Sequence, residues 1–251
     1  MSTNTSNTHA AEMGASYSLL LTLLPKIPLV ARVVVLHLLR LSEPAKYVNL
    51  RTELVVSVLR SFCQPSRPSS VSQVQQFTLV DRGIKGRIWV SKVASPVPPE
   101  TGIRDALLGA MKGLGDTSFL ADTRRTDILP VEAEWTGYRA DATPDAELPS
   151  ISEQDKYAAL VKACTSRTTI LYLHGGAFYL LDPSSHRPTT KKLAKLTGGR
   201  CLSVKYRLAP QNPFPAALLD SLVAYFYLLY PPPGSFHEPV KPEDIVFAGD
   251  R

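Results

Sequence analysis

The chain after Ile151 predicts an α/β fold with a mostly parallel sheet flanked by helices. Strand-like and helix-like stretches alternate there: "RTTILYLHGG", "SSHRPTTKKLAKLTG", "RCLSVKYRLAP", "PAALLDSLVAYFYLLY" and "DIVFAG". The strands are near-continuous apolar runs, which suits parallel strands covered on both faces. The stretches between them are long enough, and spaced correctly, to be crossover helices. Ligands of such sheets bind beyond the carboxyl ends of the strands.

Length and composition frame that expectation. With 251 residues and 44% hydrophobic content, the chain can bury a sizeable core. Cys63, Cys164 and Cys201 are odd in number and form no Cys-x-x-Cys pair, so neither a disulfide framework nor a zinc site is indicated. The net charge of +6 is unevenly placed: seven basic residues stand against two acidic ones between Tyr17 and Arg67, leaving +2 for residues 68–251. A nucleic-acid partner is therefore not expected. A basic excess inside an apolar segment points instead to an anionic membrane surface.

Three regions follow. Residues 1–16 are small and polar and are expected to be a disordered leader without the basic start of a signal peptide. Residues 17–67 form an apolar, basic helical segment, serving as a cap or a membrane-associated element. Pro25, Lys26, Pro28 and Arg32 break its hydrophobic run, which argues against a plain spanning helix. A helix starting near Pro28 would gather Arg32, His37 and Arg40 within an arc of about 140°. That pattern fits a helix lying in a membrane interface or one packed on the domain, and both readings stay open. A second helix is expected over Val48–Phe62, and "CQPSRPSSVSQ" (Cys63–Gln73) reads as a linker.

Residues 68–251 make the third region. Ile84–Val93 and Val131–Arg139 alternate like strands, Arg104–Leu114 reads as a helix, and the stretches between them read as loop. At the end of the following strand stands His174-Gly175-Gly176-Ala177-Phe178, where adjacent glycines let a backbone present consecutive N–H groups.

Three blocks, "YLHGGAFYL", "YRLAPQNPFPAALLD" and "VFAGD", occur in this order between about Thr168 and Asp250. Together they resemble the hormone-sensitive-lipase-like branch of the α/β-hydrolases, which includes fungal relatives of steryl acetyl hydrolase and arylacetamide deacetylase. The resemblance covers roughly a third of the chain and implies the amino-terminal part of an α/β-hydrolase fold. It implies that the amides of Gly175, Gly176 and Ala177 form an oxyanion hole. Alanine at the third position is tolerable only if that residue does not need φ > 0. His174 would shape this loop without acting as catalytic base. Tyr206, Arg207, Pro210 and Asp220 would hold the neighbouring loop and helix, with Arg207 and Asp220 as a buried pair.

The resemblance also implies that Gly249-Asp250 leads into Ser-Ala-Gly-Gly, the nucleophile elbow. Position 251 is arginine, whose guanidinium stays protonated and is no nucleophile. The acid and the histidine of the triad would follow the elbow, whereas His9, His37, His174, His186 and His237 all precede it. The sequence is therefore expected to be an inactive, truncated product or gene model of a serine esterase. Serine and arginine share the AG codon prefix, so an error within one codon could write one for the other. A full-length form would act on small acyl esters, such as acetyl esters of sterols, other lipids or aryl compounds. No metal or other cofactor is implied. The expected location is membrane-associated, at the endoplasmic reticulum, with the cytoplasm as second choice. The competing reading is a non-catalytic membrane-associated interaction protein built on a partial hydrolase fold.

Overall fold

A computed structural model describes residues 24–63, 70–81, 83–97, 102–115 and 118–250. The expected leader, residues 1–16, lies outside them, as does Arg251. The chain divides into two compact units, Met1–Ser70 and Val71–Arg251.

The described part of the first unit centres on a helical hairpin of α1 (Ile27–Leu38) and α2 (Leu50–Cys63). Pro28 sits in the first turn of α1, where its missing N–H costs nothing. Arg40 falls outside the expected helical arc, because the chain turns at φ +54° there and α1 has already ended. The Arg40 amide donates to the carbonyl of His37 and the Leu41 amide to that of Leu36, a left-handed helix close usually built on glycine. Asn49 caps α2 by accepting from the Thr52 amide at 2.9 Å. Inside the hairpin His37 Nδ1 lies 2.5 Å from Glu53 Oε2, and Ser42 Oγ donates to the same oxygen. Glu53 is only 7% exposed, whereas Val55 and Leu59 of the same helix are 52% and 58% exposed. The bond to His37 holds the Glu53 carboxyl below its ordinary value, against the opposing effect of burial. No helix among the described residues is long and apolar enough to cross a membrane.

The second unit opens with α3 (Val71–Thr78), so the expected linker already turns helical at Val71. Its anchor is Gln75, whose buried amide is bonded to distant backbone. The remaining elements are β1 (Ile88–Ser95), α4 (Ile103–Gly113), α5 (Leu120–Arg125), β2 (Val131–Tyr138), α6 (Glu153–Lys162), β3 (Thr169–Leu173), α7 (Pro183–Thr197), β4 (Arg200–Lys205), α8 (Ala216–Leu229) and β5 (Ile245–Gly249). Helix α5 occupies a stretch that reads as loop. Helix α6 also escaped the periodicity reading, although Ser152 announces it by accepting from the Asp155 amide.

The sheet order is β1-β2-β4-β3-β5. Strands β4, β3 and β5 are parallel, as their apolar runs imply, but β1-β2 and β2-β4 pair antiparallel. The sheet is thus mixed: the strands after Ile151 are parallel as expected, and β1 and β2 add an antiparallel half. Strand β1 is the reason to expect this: polar Ser91 and exposed Lys92 interrupt it, as suits an antiparallel edge. One face of the sheet buries Trp135, Leu171, Leu202 and Val204 against α4, α6 and α8, with Leu160, Leu219, Val223 and Tyr227 from the helices. The other face packs Ile170, Tyr172 and Cys201 against Ala194 of α7. Strand β5 lies at the sheet edge, with Val246 48% and Phe247 61% exposed.

Candidate active site

Strands β3 and β5 run parallel in register, with Leu173 opposite Gly249. Their carboxyl ends therefore deliver His174-Gly175-Gly176 and Asp250 to one place. Asp250 Oδ1 accepts from the Gly175 amide and from the Tyr172 hydroxyl, each at 2.8 Å, and Oδ2 lies 3.1 Å from His186 Nε2 of α7. Burial opposes ionisation of Asp250, but the bonds from Tyr172, Gly175 and His186 win and hold its carboxyl below the ordinary value. Burial, helped by the same carboxylate, pushes the Tyr172 phenol up.

The loop that follows is backbone-strained. Gly176 has φ +118°, and a Cβ there would stand 2.3 Å from the Leu180 carbonyl oxygen, so only glycine fits. Ala177 and Phe178 take φ +52° and +62°. The condition attached to Ala177 is therefore not met: this position does use the left-handed region, at a cost of roughly 1 kcal/mol for a residue with a Cβ. The loop closes on itself, as the Tyr179 and Leu180 amides both donate to the Gly176 carbonyl. The amides of Gly176 and Ala177 donate to no acceptor among the described residues. Of the three candidate donors, Gly175 is thus committed to Asp250, and the next two remain available to an oxyanion. Amides held in place without an acceptor are the kind of donor that can serve an anion.

His174 lies beneath this loop. Its ring stacks on Tyr206 at 4.2 Å, and its Nδ1 is 2.8 Å from the Gly175 carbonyl oxygen, an arrangement that puts the proton on Nδ1. The Tyr206 hydroxyl donates to the His174 carbonyl. Burial lowers the imidazole below its ordinary value and keeps it neutral, and Nε2 has no partner. The ring supports the loop and lacks an exposed face from which to act as base. Arg207 and Asp220 lie apart from the loop. They form a bidentate pair at 2.8–3.0 Å, and the Arg207 amide adds a third bond to Asp220 Oδ2.

The site's other supports have no local sequence signature. Gln75 Nε2 donates to the carbonyls of Tyr179 at 2.9 Å and Ala209 at 2.7 Å, tying α3 to the strained loop. A groove of about 450 Å³ beside it is lined by Gln75, Leu79, Leu181, Tyr206, Leu208 and Gln211. His186 contacts Asp250 from α7, and the next residue, Arg187, is buried between Glu134 and Asp81 with bonds of 2.5–3.0 Å to both. These partners lie 53 and 106 residues from Arg187 in the chain, so spacing could not reveal them.

Residues 170–251 match the family model described as alpha/beta hydrolase fold. An acetyl-hydrolase of Streptomyces hygroscopicus is 46% identical over 82 residues, 33% of this chain and 25% of that protein. Hormone-sensitive lipase of Bos taurus is 41% identical over 64 residues, 26% of this chain and 8% of that protein. Among solved structures, a hyperthermophilic esterase from the archaeon Pyrobaculum calidifontis superposes with a TM-score of 0.43 at 21% identity, covering 78% of this chain and 47% of that one. The chain thus spans a quarter or less of the length of these two curated relatives. Residues 170–251 are thus similar to α/β-hydrolases of the hormone-sensitive-lipase-like branch, whose matched members are named as esterase- and lipase-type hydrolases.

Proposed function

We propose that this chain carries the oxyanion side of a carboxylic-ester hydrolase for lipid, steryl or aryl acetyl esters. The observation that supports this is the pair of unspent amides at Gly176 and Ala177, presented by a strained loop that Asp250 anchors through Gly175. In this reading a serine following Asp250 attacks the ester carbonyl, and the two amides stabilise the negative oxygen of the tetrahedral adduct. Collapse of the adduct expels the alcohol, protonated by a histidine, and water then releases the acid. That serine is Arg251 in this sequence. Arginine in place of that serine removes the acyl-enzyme route at this position, a loss of about 10⁶-fold in serine hydrolases. The same reading places the basic, apolar residues 17–67 at a membrane surface.

Arginine at position 251 also favours a second reading, a non-catalytic membrane-associated interaction protein on a partial hydrolase fold. The test is hydrolysis of a short-chain p-nitrophenyl ester by the 251-residue chain beside a form that reads Ser-Ala-Gly-Gly from position 251 and continues to the family's length. Activity confined to the extended form, and lost again when Gly176 is replaced, supports the hydrolase reading. Equal activity in both forms overturns the role given to position 251, and inactivity of both favours the second reading.

A further inference from the structure

The first unit is built inside out. Its interior holds the His37–Glu53–Ser42 cluster, and of the eleven exposed large apolar side chains among its described residues five, including the four most exposed, lie together at the turn between α1 and α2, the others being spread along the helices and before α1. Leu38, Leu39, Leu41 and Tyr47 are 69%, 62%, 69% and 81% exposed, and Val48 is exposed as well. A left-handed helix close normally lays the residue after it back on the helix. Leu41 occupies that position and instead points outward. The glycine usual at the preceding position is Arg40, which adds a long cation to the same turn.

The turn is also held rigidly. The Leu41 and Ser42 amides both bond to the Leu36 carbonyl, Ser42 Oγ is tied to Glu53, and Asn49 caps the outgoing helix. Five large apolar side chains on a braced tip would be a liability in water. The charges around them indicate what accepts them. Residues 24–63 hold six basic side chains against Glu43 and Glu53, and Glu53 is already paired with His37. Exposed Arg40 and Lys46 flank the apolar group.

We propose that this turn is a membrane-inserting tip: Leu39, Leu41 and Tyr47 enter an anionic bilayer while Arg40 and Lys46 bind its headgroups. This deepens the membrane-surface part of the reading above and is independent of the hydrolase part. It differs from both readings left open for α1, a helix lying in a membrane interface and one packed on the domain. His37 is turned into the hairpin and Arg40 lies beyond α1, so no continuous polar face remains along that helix.

The test is sedimentation of the full chain with vesicles of phosphatidylcholine containing about a third phosphatidylserine, and with phosphatidylcholine alone. Expected is binding to the anionic vesicles that weakens with salt, each basic residue at the surface being worth about fivefold. The triple variant Leu39→Ser/Leu41→Ser/Tyr47→Ser should lose at least ~10-fold in partition, and Arg40→Gln/Lys46→Gln should lose binding to the anionic vesicles. Val55→Ser/Leu59→Ser, on the exposed side of α2 away from the tip, should bind as the parent does. Circular dichroism confirms that each variant folds. Vesicle binding that ignores the tip variants overturns the tip and leaves the membrane reading standing. Absence of binding to either vesicle overturns both, and self-association abolished by the triple variant would assign the tip to a second copy of the chain.

Discussion

The two units of this chain use hydrophobic residues in opposite ways. In the second, Trp135, Leu171, Leu202 and Leu219 have no exposed surface, and the charged groups that enter are paired, as Arg207 is with Asp220. In the first, Val33 is the one buried apolar residue among those described, while Glu53 is buried and Leu38, Leu41 and Leu59 face outward. Burial, not composition, separates the two, since apolar area stabilises a fold only when it leaves water. The sheet is held by its core, and the hairpin by local bonds and caps.

That contrast can be broken at several points. The largest effect should come from Arg187→Met, which strands Glu134 and Asp81 without their partner: about 3–5 kcal/mol lost in urea unfolding. Leu202→Ala should cost about 3 kcal/mol by the same measurement, because the surrounding sheet cannot collapse into the gap.

Acid should act on the second unit through His237. Burial lowers its imidazole from 6.5 to about 4, with Nε2 held 3.1 Å from the Tyr227 carbonyl oxygen. A folded-state value below the unfolded one gives stability that is complete above pH 6.5 and lost as pH falls through about 4. Unfolding across that window should show a loss of about 3 kcal/mol, and His237→Gln should flatten it. Ala177→Gly should raise stability by about 1 kcal/mol, since glycine takes the observed φ without penalty. A midpoint unchanged in denaturant would mean that the loop is not strained there. Smallest of all, Leu59→Ala should shift unfolding by less than about 0.5 kcal/mol. A loss as large as that of Leu202→Ala would show that something buries this face and would erase the contrast.

The sequence was legible where physics is local. The apolar runs of β3, β4 and β5, the glycines of the loop and the Arg207–Asp220 neighbourhood lie within one short stretch each or one crossover. Helix α3 was hidden by its Pro- and Ser-rich approach, and its purpose depends on Gln75 reaching Tyr179 and Ala209, residues 104 and 134 positions away. Helix α6 was announced by its Ser152 cap, a signal that weak periodicity masked. The antiparallel pairing of β1 and β2 was foreshadowed only by polar residues within β1.

By itself the sequence determined the hydrolase-like class, the loop from His174 to Phe178 and the arginine at position 251, because each is a statement about residue type and short spacing. The tertiary structure decided which amides remain free, by placing Asp250 against Gly175, and put Ala177 in the left-handed region. It also decided which apolar residues are covered. Those outcomes depend on contacts between strands and helices far apart in the chain, and neither periodicity nor composition encodes them.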